Sequence, residues 1–236
     1  MESVNLCIDI GNTSTKAAVF SSNHILEYFK PFTLDDLKNL RQKYRLNILT
    51  SRSGSNPQLE QELKEEEFVS HLTSIPLTLN YDTPHTLGRD RISNAVGAYM
   101  LDPKASWLVI DLGTCLTMDF VADGAFNGGL ISPGVQMRFS AMNHYTEGLP
   151  LAEVDYDVFF PGKTTEESMQ VGVCQSIGYE MLGYIRQLNN NIKDLKIVDC
   201  SSREIVFDKV VKNEIFARPK LVLEGLNQIL NYNAQE

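Results

Sequence analysis

The chain has 236 residues, 43% apolar and 22% charged, with 15 glycines and 9 prolines, enough for one large domain or two smaller ones. Twenty-one Lys and Arg stand against 30 Asp and Glu, a formal charge of −9, and such a balance repels polyphosphate backbones and anionic lipid. Neither nucleic acid nor a membrane is therefore the expected partner, although a local anion site stays open. No run approaches the roughly 18 apolar residues of a membrane-crossing helix. The opening MESVNLCIDIGNTSTK lacks a basic and then apolar leader, so a cytoplasmic protein is expected. Cys7, Cys115, Cys174 and Cys200 are scattered without C-x-x-C pairing and read as reduced, mostly buried thiols.

In chain order, Val4 to Ile10 reads as a strand, Gly-Asn-Thr as a turn, and Thr15 to Phe20 and His24 to Phe29 as the rest of a meander. Leu34, Leu37, Leu40 and Tyr44 recur at helical spacing behind Thr33, an N-cap, and Leu46 to Thr50 is a short strand. Gln58 to Glu67 is a charged segment expected to be helical with a solvated face. Arg91 to Leu101 carries Ile92, Ala95, Val96 and Tyr99 on one stripe, stopped by Pro103. Trp107 to Ile110 is a buried strand, followed by Leu116 to Val121 and Phe126 to Ile131 as a second meander through turns at Gly113 and Gly124. Helices are expected over Val135 to Tyr145, Thr165 to Leu188 and Pro219 to Tyr232, with a strand at Leu195 to Val198.

An internal repeat organises the chain. VNLCIDIGNTSTK at 4–16 and SWLVIDLGTCLTMD at 106–119 superpose at an offset of 102, setting Asp9 on Asp111, Gly11 on Gly113 and Thr15 on Thr117. Two lobes are implied, 1–105 and 106–236, each opening with an Asp-x-Gly hairpin. An apolar strand ending in Asp and turning through Gly beside Asn or Thr exposes amides and small hydroxyls that can wrap phosphate oxygens. The Asp can hold a cation or its waters opposite them, since Mg²⁺ prefers a few carboxylates plus phosphate oxygens. An ordinary hairpin has the same local sequence, but two copies at matching places favour a common cleft.

Pro161-Gly162-Lys163-Thr164 imitates the end of a Walker A loop, yet Asp157 stands where that motif needs its first glycine, so a P-loop is rejected. In Tyr81-Asp-Thr-Pro-His-Thr-Leu-Gly88-Arg89-Asp90-Arg91, Asp90 and Arg91 stand at a helix entrance. There an anion is stabilised and an Arg can grip a carboxylate or phosphate. The alternative is an N-cap Asp with a surface ion pair. His85 reads as an exposed loop residue.

Together, Asp9-Ile-Gly-Asn-Thr13, Tyr81…Gly88-Arg-Asp-Arg91, Asp111-Leu-Gly-Thr114-x-x-Thr117-x-Asp119, Gly128-Gly-Leu-Ile-Ser-Pro-Gly134 and Gly162-Lys-Thr-Thr165…Met169-Gln170…Gly172 resemble the type III pantothenate kinases, in the family's order over most of the chain. The resemblance implies an actin-like, sugar-kinase-type α/β fold of two ribonuclease-H-like lobes with mixed sheets and an interlobe nucleotide cleft. It implies ATP-dependent phosphorylation of pantothenate to 4′-phosphopantothenate, toward coenzyme A, in a homodimer using Mg²⁺ and a monovalent cation, K⁺ or NH₄⁺. Carried over by position, Asp9, Ile10, Gly11, Asn12, Thr13, Ser14, Thr15, Lys16 and Thr114 meet the nucleotide, and Asp9 meets Mg²⁺, directly or through water. Asp111 meets the monovalent cation, and Tyr81, Gly88, Arg89, Asp90 and Arg91 meet pantothenate. Thr165 reaches the partner's substrate, and Asp90 falls on the general base.

Asp90 fits independently, because a primary alcohol needs a carboxylate to take its proton, and Arg91 offers a cation for an anionic substrate. Three departures stand out. Val198-Asp199-Cys200-Ser201-Ser202 replaces a Thr-Gly-Gly-Asp-like turn, Arg89 replaces a smaller residue and Cys115 replaces Ala. Crowding by the Cβ atoms of the first makes nucleobase recognition the weakest carry-over. Another small-molecule kinase, a phosphohydrolase or a non-catalytic nucleotide-binding regulator remains open on the residues alone.

Overall fold

The computed structural model describes residues 2–201 and 215–235. Strand β1 (Ser3–Ile10) pairs antiparallel with β2 (Thr15–Ser21), which pairs with β3 (His24–Phe29). Helix α1 (Leu34–Lys43) follows, started by a capping box in which Thr33 accepts from the Asp36 amide and the Asp36 carboxylate accepts from that of Thr33. It returns the chain to β4 (Arg45–Arg52), parallel to β1.

The expected helix from Gln58 to Glu67 is broken. Only α2 (Pro57–Glu60) and a single 3₁₀ turn at Glu65–Glu67 form. One continuous helix would stack Glu62 on Glu66 at adjacent turns, and the Glu67 carboxylate instead accepts the Lys64 amide at 2.7 Å. A two-residue strand, β5 (Thr78–Leu79), leads to α3 (Arg89–Leu101), which begins two residues earlier than expected and has Gly88 at its N-cap.

The second sheet repeats the first. Strands β6 (Trp107–Leu112), β7 (Cys115–Ala122) and β8 (Ala125–Pro133) form an antiparallel meander. After α4 (Val135–Tyr145), α5 (Thr165–Gln170) and α6 (Ser176–Asn189), β9 (Lys196–Asp199) lies parallel to β6 as β4 lies to β1. The sheet orders are β3-β2-β1-β4 and β10-β9-β6-β7-β8-β5, β10 being Ile215–Ala217. The long helix expected from Thr165 is continuous in space but passes through one π-helical stretch, Val171–Gln175. The last helix is α7 (Leu221–Asn233).

Five layers result. Helix α1 covers the outer face of the first sheet through Leu37 and Leu40, and α4 to α6 cover the outer face of the second through Phe139, Met169 and Met181. Between the sheets lie α3 and α7, packed on Cys7, Phe20 and Leu49 of one and Trp107, Val109 and Phe126 of the other. Strands β1 and β6 are therefore apolar on both faces, which explains their unbroken hydrophobic runs, and α3 is buried around most of its circumference instead of along one stripe. Two segments cross the chain's midpoint: β5 joins the second sheet beside β8, and α7 packs on β1 and β4.

The α3–α7 crossing is close because small residues meet there. A Cβ at Gly225 would stand 1.8 Å from the Ser93 carbonyl oxygen. Gly225→Ala is therefore expected to cost about 2–3 kcal/mol or more by overpacking and to lower kcat, since α3 carries Asp90, the expected general base. Urea unfolding and steady-state rates check this against Gly183→Ala, where an added Cβ meets nothing within 4 Å.

Candidate active site

The repeated hairpins converge. Thr13 Oγ1 and Thr114 Oγ1, at the tips of the two turns, lie 3.0 Å apart, although 101 residues separate them. Each turn is backed by a glycine from another element. A Cβ at Gly54, just after β4, would fall 2.3 Å from the Gly11 carbonyl oxygen, and one at Gly134, the N-cap of α4, 2.3 Å from that of Gly113. Gly54 also donates its amide to Ile10 O at 2.8 Å, and Gly134 donates to Thr114 O at 3.0 Å. Only residues without a side chain let these backbones lie so close.

The repeat is not strict through the turns. Asp9 pairs across its hairpin with Lys16, whereas Asp111 pairs with Thr117, because the second turn is one residue tighter. Thr117 is thus the counterpart of Lys16, not of Thr15, and the first lobe alone places a cation opposite its Asp.

Asp9 is buried, and its Oδ1 has no hydrogen-bond partner among the described residues. Burial pushes its carboxyl up to about 6, with Lys16 opposing and the Asp90 charge adding. The Asp111 carboxyl is pushed up to about 7, by burial first, then by Asp90, with Lys16 opposing and Asp9 and Asp199 adding. Excess negative charge converging on one cleft is a site for cations. Among the described residues no three His, Cys, Asp or Glu side chains stand close enough to hold a metal on their own. One or two carboxylates with room for further oxygen ligands suit Mg²⁺, and the orphaned Asp9 oxygen fits that role.

Asp90 lies in the first turn of α3, its Oδ1 accepting the Arg91 amide at 2.8 Å. Gly88, not Asp90, is the N-cap, and among the described residues Asp90 takes part in no surface ion pair. Gly88 makes room for it, since a Cβ there would be 2.6 Å from Asp90 Oδ1. Arg91 is 5% exposed, and its Nε and Nη2 donate to the buried Asp119 carboxylate, Nε at 3.0 and 3.1 Å. The cation expected from Arg91 is therefore already balanced by an anion. The Arg89 guanidinium turns away and donates to the carbonyls of Pro84, His85 and Leu87, clamping the short turn before α3. His85 is exposed, as expected of a loop residue. The Tyr81 ring meets Phe126 edge-on at 5.8 Å, and the Arg91 guanidinium lies over the same Phe126 at 5.7 Å.

Thr165 is exposed at the start of α5 and opens onto a separate groove of about 650 Å³ lined by Met142, Leu149, Met169 and Val173. The Walker-like stretch beside it is a helix cap: Thr164 Oγ1 accepts the Glu167 amide at 3.1 Å.

At the departed turn, Asp199 Oδ1 accepts the Ser201 amide at 2.9 Å, Ser201 Oγ accepts that of Leu112 at 2.8 Å, and Cys200 Sγ lies 3.2 Å from Ile110 O. These substitutes for glycine are buried and bonded into the end of β6; Ser202 lies outside the described residues. Sequence reasoning missed Gly54, gave Gly134 and Asp119 no task, and named Asp199 only as part of the departed turn. The visible signals were a Gly just past a strand end and an Asp closing a third parallel strand.

Paired Asp-x-Gly hairpins facing across a cleft between two like sheets define the actin-like, sugar-kinase class of α/β fold. A protein from Sinorhizobium meliloti assigned as a 2-dehydro-3-deoxygalactonokinase superposes with a TM-score of 0.60 at 11% identity, over 97% of this chain and 99% of that one. One from Campylobacter jejuni assigned to the Baf family of transcriptional activators gives 0.57 at 22% identity, over 98% and 100%. Within that class the chain belongs to the type III pantothenate kinase family, whose model matches residues 56–187. The type III pantothenate kinase of Phocaeicola vulgatus is 41% identical over 239 residues, 98% of this chain and 99% of that one. The Cytophaga hutchinsonii enzyme of the same name is 37% identical over 235 residues, 98% and 100%.

Proposed function

We propose that this chain transfers the γ-phosphoryl group of ATP to the terminal hydroxyl of pantothenate, giving 4′-phosphopantothenate and ADP, the first step toward coenzyme A. The convergence of Thr13 and Thr114 at 3.0 Å carries the reading, in a chain of the type III pantothenate kinase family. It makes one phosphate cradle of the two hairpins, with Asp90 at its edge. Asp90 accepts the proton of the hydroxyl as the new P–O bond forms and the bond to ADP breaks. The amides and hydroxyls of Ile10 to Thr15, with Lys16 and Thr114, bind the nucleotide phosphates and lower the remaining barrier by positioning and preorganised donors. Asp9 would hold Mg²⁺ or its waters and Asp111 a monovalent cation, K⁺ or NH₄⁺, and these ions would offset the charge on the transferring and leaving phosphate oxygens. Tyr81 and Gly88 to Arg91 bind pantothenate, Arg89 through its backbone. An ATP-fed reaction and four free cysteines both suit the cytoplasm.

The active unit is a homodimer in which Thr165 reaches the partner's pantothenate. Its support is the exposure of large apolar side chains at the end of α4 and shortly before α5, with Phe160 and Tyr145 both 81% exposed and Phe159 71%. Purified protein with ATP, Mg²⁺ and K⁺ should release ADP only when pantothenate is added, and more slowly when Na⁺ replaces K⁺. Bound nucleotide with no pantothenate-dependent ADP would overturn the reading. Asp90→Asn and Thr165→Arg proteins, each slow alone, should on subunit exchange recover about a quarter of wild-type activity, since half of the dimers would hold one intact site. Proven exchange without recovery would remove Thr165 from the partner's site.

A further inference from the structure

Asp119 belongs to the second hairpin's motif, yet neither phosphate binding nor proton transfer uses it. Three observations single it out. It is 1% exposed, in the middle of β7, and its carboxylate takes the Nε–Nη2 edge of one guanidinium, that of Arg91. The β7–β8 pairing shifts register between Asp119 and Val121, and such bulges re-aim a side chain beside active sites. Finally, β8 clears space for the carboxylate: a Cβ at Gly129 would stand 2.3 Å from Asp119 Oδ1 and 2.3 Å from Met118 O.

The device extends to the substrate side. Phe126 lies under the Arg91 guanidinium and takes the edge of Tyr81, so Arg91 and Tyr81 share one apolar floor. Burial works against the guanidinium's charge, but Asp119 and the Tyr81 hydroxyl outweigh it and hold Arg91 more firmly protonated than usual. With its Nε–Nη2 edge on Asp119, a long and otherwise flexible side chain is left one orientation, and the net charge it presents is close to zero.

We propose that Asp119 is a positioning residue for the phosphate acceptor: it aims Arg91 beside Asp90 and makes it a hydrogen-bond donor to the substrate's neutral oxygens instead of a free cation. This rests on the pantothenate kinase reading above. A buried ion pair serving only the fold would add little net stability, and its loss would not discriminate between the two substrates.

The test is Asp119→Asn, with Asp119→Glu as the second variant. The KM for pantothenate should rise roughly 10- to 100-fold, the scale of a misplaced binding group, while the KM for ATP stays within about twofold of wild type. Calorimetric titration of pantothenate without ATP should show the same loss. D119E restores the charge but displaces the guanidinium by a methylene, so its melting temperature should recover towards wild type while its pantothenate KM does not. If D119E recovers both, or if folded D119N keeps the wild-type pantothenate KM, Asp119 serves the fold alone. If D119N does not fold, D119E decides between the two. Wild-type protein without pantothenate-dependent ADP release would sink the underlying reading and not this step alone.

Discussion

Replacing Asp90 by Asn is expected to lower kcat by roughly 10²- to 10⁴-fold, the usual worth of a positioned general base, with the KM values for ATP and pantothenate changed by no more than a few-fold. The variant should fold, because the amide oxygen can accept the Arg91 amide as the carboxylate does at 2.8 Å, and the helix still begins at Gly88. It should also be no less stable than wild type. Asp90 adds to the unfavourable charge felt by Asp9, Asp111 and Asp119, and removing it relaxes all three. Steady-state kinetics with a parallel thermal melt would check both halves. A variant that turns over at the wild-type rate would leave the hydroxyl's proton to another acceptor.

That prediction could be framed from sequence because its parts are local. A strand ending in Asp and turning through Gly, a Thr three residues ahead of Asp36, and a Gly-Arg-Asp-Arg run are read from turn and cap chemistry within a few residues. The repeat then told how two such turns relate, and the sheets obey it: β3-β2-β1-β4 recurs as β8-β7-β6-β9. What stayed hidden is long-range. Nothing near Arg91 announces that Asp119, on another element and 28 residues on, absorbs its charge. The apolar periodicity of α3 suggested one buried stripe because periodicity counts faces, not neighbours, and a helix between two sheets has neighbours on both sides. Crossing segments are equally invisible. Strand β5 is two residues long, too short to carry a period, and α7 returns to the first sheet through partners such as Asn5, whose Nδ2 donates to Asn227 Oδ1 at 2.9 Å.

The electrostatics of the cleft lead to a second large effect with an unusual sign. Asp9 and Asp111 ionise near 6 and 7 in the folded chain, against an ordinary value of 3.8. Between about pH 4 and 7 the folded state therefore holds protons that the unfolded state has lost, and stability without cations falls as pH rises through that window. Each tenfold change in proton affinity is worth about 1.4 kcal/mol, so the Asp9 charge alone costs the fold up to about 3 kcal/mol above pH 7. Asp9→Asn keeps the shape and removes the charge. It should raise the melting temperature of the cation-free protein by roughly 5 °C or more near pH 8 and by little near pH 5, where the wild-type carboxyl is largely protonated. The same variant should lose most phosphotransfer and the stabilisation that Mg²⁺ with ATP gives wild type near pH 8. Calorimetric melts at the two pH values, with and without Mg²⁺ and ATP, test this directly. If Asp9→Asn melts below wild type near pH 8, the carboxylate is a structural acceptor instead. The predicted inversion follows from the role proposed for Asp9: a carboxylate placed to meet a cation and phosphates is held where, without them, its own charge opposes folding.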